Sequence, residues 1–256
     1  MERNAGAGGG LMEFLGELVA WFTDPASWEG RNGIGVRLWE QVVLSAAALA
    51  VAVAVALPVG IAIGHTNRGA AVTIAIANIG RAVPSLGWIG IFFPLVLALR
   101  TGESGFVTAL LAMTLLGIPP IVTNAYTAIR EVDRDLVEAG RGMGMHELQV
   151  LRRVELPLAV PLILAGIRIS AVQIVATSSL AAVVSGGTLG IIIIQGINGG
   201  ARERLVGAAI IVALLSLATE VGFGLLQRAV TARGTGRARS RSSAGEPAPP
   251  PYEAAI

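Results

Sequence analysis

Residues 42–63 form a run of 22 residues without a single charged side chain. A helix needs about 20 apolar residues, at about 1.5 Å each, to cross the hydrocarbon core of a bilayer. Four further stretches come close to that pattern. Residues 69–99 are apolar except for Asn78, Arg81 and Ser85, and residues 105–129 carry no charge before Arg130. Residues 156–184 carry Arg168 and Gln173, and residues 205–227 carry Glu220. Lipid offers no partner to a backbone N–H or C=O, so each such segment has to satisfy its own. The expected fold is therefore an all-α integral membrane protein, a polytopic bundle of about five transmembrane helices. Proline marks where these helices depart from regularity, because it removes one intrahelical hydrogen bond. Pro58 bends the first span near one end, Pro84 breaks the over-long second run, and Pro119-Pro120 interrupt the third. Gly60 and Gly64 have the G-x-x-x-G spacing of close helix contacts, a spacing that also arises by chance in a chain with 33 glycines.

Composition removes several function classes. Only 14% of the 256 residues are charged and 54% are hydrophobic, against about a quarter charged in soluble domains. There is no cysteine, so neither a disulfide nor a thiolate metal site is available. All 19 basic residues are arginine. A phosphate-binding Walker A loop requires lysine, so this chain does not hold ATP in one. No basic stripe is interleaved with aromatics, and no nucleic-acid partner is expected. Ser45, Ser170, Ser178 and Ser179 lack His/Asp companions at usable positions, so no catalytic residue is assigned. His65 and His146 lack metal-site companions and read as solvated loop residues.

The ends differ from the middle. Residues 1–40 form an N-terminal tail, Gly-rich over residues 1–10 and expected to be unstructured there. From residue 11 the apolar side chains Leu11, Phe14, Leu15, Leu18, Trp21 and Phe22 share one helical face, the pattern of an amphipathic interfacial helix. Residues 24–37 read as loop, with Trp28 and Trp39 placed as interface anchors. Residues 41–230 form the membrane domain. Residues 189–197 are apolar but too short to cross, which suits a re-entrant half-helix or an external loop. Residues 231–256, rich in Arg, Ser and Pro, read as a disordered tail, and Pro247 to Pro251 as inert composition.

Residues 130–157 are the longest charged stretch between apolar blocks. Leu136, Val137, Gly140 and Met143 fall at helical spacing, as do Leu148, Leu151 and Val154, with glycines 140, 142 and 144 between the two sets. Helix, sharp turn, helix is the expected shape, outside the bilayer. On charge content alone a plain connecting loop is an equal reading. Charge also sets orientation. Arg68, the five arginines between 130 and 153, and the tail fall on one side of alternating spans. The N-terminal arginines, Arg100, Arg202 and Arg204 fall on the other. The richer set belongs in the cytoplasm, so the C-terminus is expected inside and the N-terminus outside.

Glu138-Ala139-Gly140, then Gly144, then Val154-x-Leu156-Pro157 resembles the EAA motif of permease subunits of bacterial ABC importers. That pattern is E-A-A, three residues, G, nine residues, I-x-L-P. Gly140 replaces the second alanine and Val154 the isoleucine. Residues 78–86, 117–120 and 154–190 further resemble the branch that moves glycine betaine, carnitine or choline. The resemblance spans roughly residues 41–228. It implies a type I importer permease in the cytoplasmic membrane, paired with a second copy or a sister permease. It also implies a separate ATP-binding subunit that holds the ATP and Mg, and an extracytoplasmic solute-binding protein. The coupling residues it implies are Glu138, Ala139, Gly140, Arg141, Gly144, Glu147, Leu156 and Pro157. In this reading Gly144 makes the turn and Pro157 starts the next span.

Ionisable groups inside spans are costly and mark function by default. Arg81 lies about 18 Å into its run at 1.5 Å per residue. With Asn78, Pro84, Ser85 and Trp88 it forms a candidate translocation path, since a broken helix frees backbone groups at transport sites. The other reading of Arg81 is packing against helix-end carbonyls. Trp88 is the candidate for a quaternary ammonium, but one ring makes no aromatic cage, so selectivity is expected on the separate binding protein. Arg168 and Glu220 are expected to pair, which removes two burial costs together. Three rivals remain: an importer permease for an amino acid such as methionine, an autonomous secondary transporter or channel, and a non-transporting membrane scaffold. The second would need a coupling carboxylate, and only Glu220 is available.

Overall fold

The computed structural model describes residues 5–242 except Thr101 and Gly186, and leaves aside the side chains of residues 5–9, 72, 76, 81 and 232–242. Twelve α-helices follow in order among the described residues. They are α1 (Ala5–Thr23), α2 (Pro25–Trp28), α3 (Ile34–Thr66), α4 (Ala70–Ala82), α5 (Ser85–Ala98) and α6 (Ser104–Arg130). Then come α7 (Arg134–Gly142), α8 (Glu147–Val150), a π turn (Leu151–Glu155) and α9 (Leu156–Thr177). A 3₁₀ turn (Ser178–Ala181), α10 (Ala182–Ser185), α11 (Gly190–Gly199) and α12 (Arg202–Ser242) complete the chain. Four of these stretches are long and apolar enough to cross a membrane, and α4 with α5 makes a fifth, bent by 93° between its arms.

The seam between α3 and α6 is built from small residues. A Cβ on Gly60 would meet Ala125 Cβ at 2.7 Å, and one on Gly64 would meet Ile129 Cβ at 2.7 Å. Ala52 stands against Gly117, and Thr114 donates to the Ala48 carbonyl at 3.5 Å. Matching positions rise together along both helices, so α3 and α6 run parallel. The chance-prone glycine spacing is thus a true close approach, which is how helices gain contact where lipid is as apolar as leucine.

α9 runs back against α6. Ser170 donates to the Gly117 carbonyl at 2.7 Å, and Gly166 faces Pro120 and Asn124. α12 then runs opposite to α9, with Gln227 donating to the Pro161 carbonyl at 3.1 Å. One end of the bundle therefore collects His65, the 130–157 loop and Arg228. The other collects the starts of α3, α6 and α12 together with α11.

Three boundaries differ from the sequence reading. Helix α1 already starts at Ala5, inside the Gly-rich segment. Its Trp21 and Phe22 pack with Ile34, Leu189, Ile192, Ala208 and Ile211, so its final turn docks on α3, α11 and α12. Leu11 and Leu15 stay exposed. Helix α3 starts at Ile34, which places Trp39 inside a helix. Helix α12 continues to Ser242, so residues 231–242 of the expected disordered tail are helical, and Pro247 to Pro251 lie outside the described residues. Alanine- and arginine-rich sequence prolongs a helix readily once a span has nucleated it.

Candidate functional site: the 130–157 protrusion and the intramembrane polar groups

Helix α7 begins at a cap. The Asp133 carboxylate accepts from the Asp135 N–H at 2.9 Å, filling one of the orphan donors of the first turn. The helix ends at Gly142, and Gly144 then takes φ +82°, in the left-handed region where only glycine sits without strain. The Met145 N–H returns to the Gly140 carbonyl at 3.2 Å, closing the turn. Gly140 itself is buried, and a Cβ there would find only ordinary contacts, Met145 Sδ and Val154 Cγ2 at 3.7 Å. The structure thus leaves room for the alanine that the motif carries at this position.

Helix α8 opens at His146, whose N–H meets Gln149 Oε1 at 3.2 Å. It does not end before the next span. The helical path runs on through the π turn into α9, where the Leu156 N–H reaches back five residues to the Leu151 carbonyl. Pro157 is the second residue of α9, the first-turn position expected of it, but the helical path already leads into it from α8. Its missing N–H and its ring disfavour regular i→i−4 bonding just upstream, and the wider turn absorbs the mismatch.

The two helices of the protrusion are joined by charge. Arg141 forks onto Glu147, with Nε to Oε1 and Nη2 to Oε2 both at 3.0 Å. That hydrogen bond holds the Glu147 carboxyl below the usual carboxylate range. Glu138 and Ala139 are exposed. Leu136, Met143 and Leu148 are exposed as well, Met143 by 73%, while Val137 and Leu151 turn inward. The protrusion thus carries an uncovered apolar tip on a charged frame.

His65 departs from its sequence reading. His146 is exposed, but the His65 side chain is only 13% exposed. Its Nδ1 lies 2.6 Å from Glu155 Oε2, and its Nε2 lies 3.5 Å from Glu147 Oε2. Residues 65 and 155 are ninety apart, and nothing in the local pattern of either points to the other.

The second candidate group surrounds the broken span. α4 ends at Ala82, Val83 is extended, and Pro84 caps α5. The 93° bend follows Arg81, which lies in the last turn of α4. Its side chain lies outside the described ones. Asn78 is exposed and Ser85 half-buried. Trp88 reaches across the break, donating from Nε1 to the Gly80 carbonyl at 3.4 Å. It stacks on Phe92 with ring centroids 5.9 Å apart, a second ring that sequence reasoning did not assign. Trp88 also lines an apolar cavity of about 340 Å³ with Val55, Ala77, Ile118 and Pro119.

Arg168 and Glu220 meet as an ion pair between α9 and α12, both about one-third exposed on the bundle's outer surface. At the opposite end from the protrusion, Gln41 is fully buried. It donates to the Val175 carbonyl at 3.0 Å and accepts from the Leu189 N–H at 3.2 Å. Glu40 accepts from the Thr188 N–H at 2.9 Å and from Arg37 at 2.8 Å. These two residues hold the start of α11, a role the sequence alone did not suggest. Ser45 and Ser178 share a hydrogen bond at 2.8 Å, and so have structural partners. Among the described residues no group of His, Cys, Asp or Glu is arranged to hold a metal ion.

Five apolar spans with one helical protrusion at a single end define a multi-pass membrane protein of the transport-permease class. Residues 56–232 match the family described as the binding-protein-dependent transport system inner membrane component, and the chain belongs to that family. It is 34% identical over 206 residues to the choline transport system permease protein OpuBB of Bacillus subtilis, covering 80% of this chain and 92% of that protein. It is 32% identical over 211 residues to the carnitine transport permease protein OpuCB of Listeria monocytogenes, covering 82% and 94%. Among solved structures, a chain of the MetNI methionine ABC transporter in an inward-facing conformation superposes with a TM-score of 0.67. The identity there is 25%, covering 75% of this chain and 93% of that one.

Proposed function

We propose that the chain is the permease subunit of an ATP-driven ABC importer for a compatible solute: glycine betaine, carnitine, choline or a close relative. The observation that supports this most is the exposed Leu136–Met143–Leu148 tip on its Arg141–Glu147 frame. Apolar side chains left uncovered outside the membrane, and rimmed by charge, suit a partner's cleft. In this reading a separate ATP-binding subunit, carrying ATP and Mg, grips the protrusion in the cytoplasm. This chain holds no cofactor of its own. The N-terminus is outside and the C-terminus inside, following the arginine distribution. A second permease completes the path, and an extracytoplasmic binding protein delivers the solute. ATP-driven closure moves the protrusion, and the continuous helix from α8 through α9 passes that motion into the bilayer.

The relatives named for choline and carnitine support the quaternary ammonium class. Trp88, which lines the apolar cavity, offers one aromatic face to such a cation. The likeness to the methionine transporter favours a second reading, an amino-acid permease.

The chain has no native cysteine, so Met143→Cys gives a unique thiol. Crosslinking should capture an ATP-hydrolysing subunit encoded with it, and ATP should alter the yield. Absence of that adduct in the assembled complex, or labelling of the thiol from the outer face of the membrane, would sink the docking role. Uptake of choline set against methionine then decides between the two solute classes.

A further inference from the structure

We propose that His65 is a proton-operated latch between the end of α3 and the protrusion. With both ring nitrogens protonated, it ties α3 to Glu155 at the protrusion's foot and to Glu147 in α8. With one proton, it holds Glu155 alone and lets go of Glu147, which loosens the Arg141 end of α7 from α3.

Glu155 has a side chain only 7% exposed, and His65 Nδ1 is 2.6 Å from its Oε2. A buried carboxylate requires a donor, so that nitrogen carries the hydrogen. The other ring nitrogen then faces Glu147 Oε2 at 3.5 Å. If this nitrogen is a bare lone pair, two acceptors confront each other. If it is protonated, the same geometry becomes an attraction between the charged ring and the Glu147 carboxylate. Glu147 is already forked by Arg141 in α7. The second proton therefore links α3 to α8 and, through Glu147, to α7.

The charged surroundings are mixed. The neighbouring cleft, of about 120 Å³, is lined by His65 from α3, Arg130 from α6, and Arg134, Glu138 and Arg141 from α7, with Glu155 at its base. Three arginines stand against three carboxylates once Glu147 is counted, so the ring's own charge decides its hold on Glu147. Unlike an Arg–carboxylate pair, this contact depends on whether the imidazole carries one proton or two.

The latch is a property of this chain alone and stands whether or not an ATPase binds the protrusion. The test uses the full chain in lipid nanodiscs. Spin labels are attached to Thr66→Cys at the end of α3 and to Gly142→Cys, an open position at the end of α7. Distance distributions are recorded at pH 6 and pH 8.5. The wild-type background should give a narrow distance at pH 6 that broadens at pH 8.5. The held fraction should change about threefold, the scale of one partly exposed charge pair. His65→Gln keeps one donor for Glu155 but cannot take a second proton, so its distribution should be broad at both values. Glu147→Gln should likewise remove the pH response. A wild-type distribution unchanged between the two values, or a pH response that survives His65→Gln, overturns the latch. Neither result touches the Met143 crosslink, so the latch and the docking role fail separately.

Discussion

Gly60→Ala tests the α3–α6 seam with one methyl group. The added carbon would stand 2.7 Å from Ala125 Cβ and 2.9 Å from the Val122 carbonyl oxygen. Carbon contacts are comfortable at about 3.5–4.0 Å, so the overlap is about 1 Å. Val122 O is backbone, and Ala125 has no rotamer to turn away, so the helices themselves must separate. Overpacking of this kind costs about 1–3 kcal/mol. Alanine recovers about 1 kcal/mol over glycine in a helix, leaving a net loss of up to about 2 kcal/mol. Gly222→Ala is the control, because a Cβ at Gly222 meets nothing within 4 Å. That variant should gain up to about 1 kcal/mol from helix propensity alone. Unfolding in mixed detergent micelles, followed by tryptophan fluorescence, measures both. The two substitutions should move the midpoint in opposite directions. If Gly60→Ala is as stable as Gly222→Ala, the seam is not the close contact described.

Further outcomes follow from the same geometry. Gly144→Pro should abolish ATP-driven uptake while the chain still inserts, since φ +82° is closed to proline; Gly140→Ala should retain uptake. Full uptake by Gly144→Pro would refute the turn's role. Arg168→Ala and Glu220→Ala should each lower the yield of folded protein in detergent, and the double variant should recover part of it. A strictly additive loss would show that the pair is not coupled. Gln41→Leu strands the Leu189 N–H and the Val175 carbonyl in a buried site, which should cost about 1–3 kcal/mol in a thermal shift assay; no shift would refute that assignment.

Features written locally in the sequence were readable from it. Apolar run length gave about five spans, which the structure matches when α4 and α5 count as one bent span; Pro84 marked the break, and glycines 142 and 144 marked the turn of the protrusion. Alternation of arginine-rich connections grouped the same ends that the parallel and antiparallel seams bring together. What escaped were pairings between distant positions. His65 read as solvated because no ligand-type neighbour is near in sequence, yet it closes on Glu155 across ninety residues. Residue 41 read only as the start of the membrane domain, and packing alone shows Gln41 holding Leu189. Pro157 read as a helix start because proline is welcome there. The continuous helix is possible only because a π turn precedes it, and its cue is geometric. The first turns of α1 and the last of α12 exceeded their compositional bounds because helix continuation is cooperative.

One consequence of α3 concerns its length. Gln41 near its start and His65 near its end are each bound to elements outside the helix, and 24 residues separate them in one unbroken rod. Inserting or deleting a single residue between them would rotate one terminus by about 100° and slide it by about 1.5 Å relative to the other. Neither hydrogen-bonded site could tolerate that phase error. The tally of residues in this rod is therefore fixed from both sides of the membrane, whatever apolar side chains fill the interval.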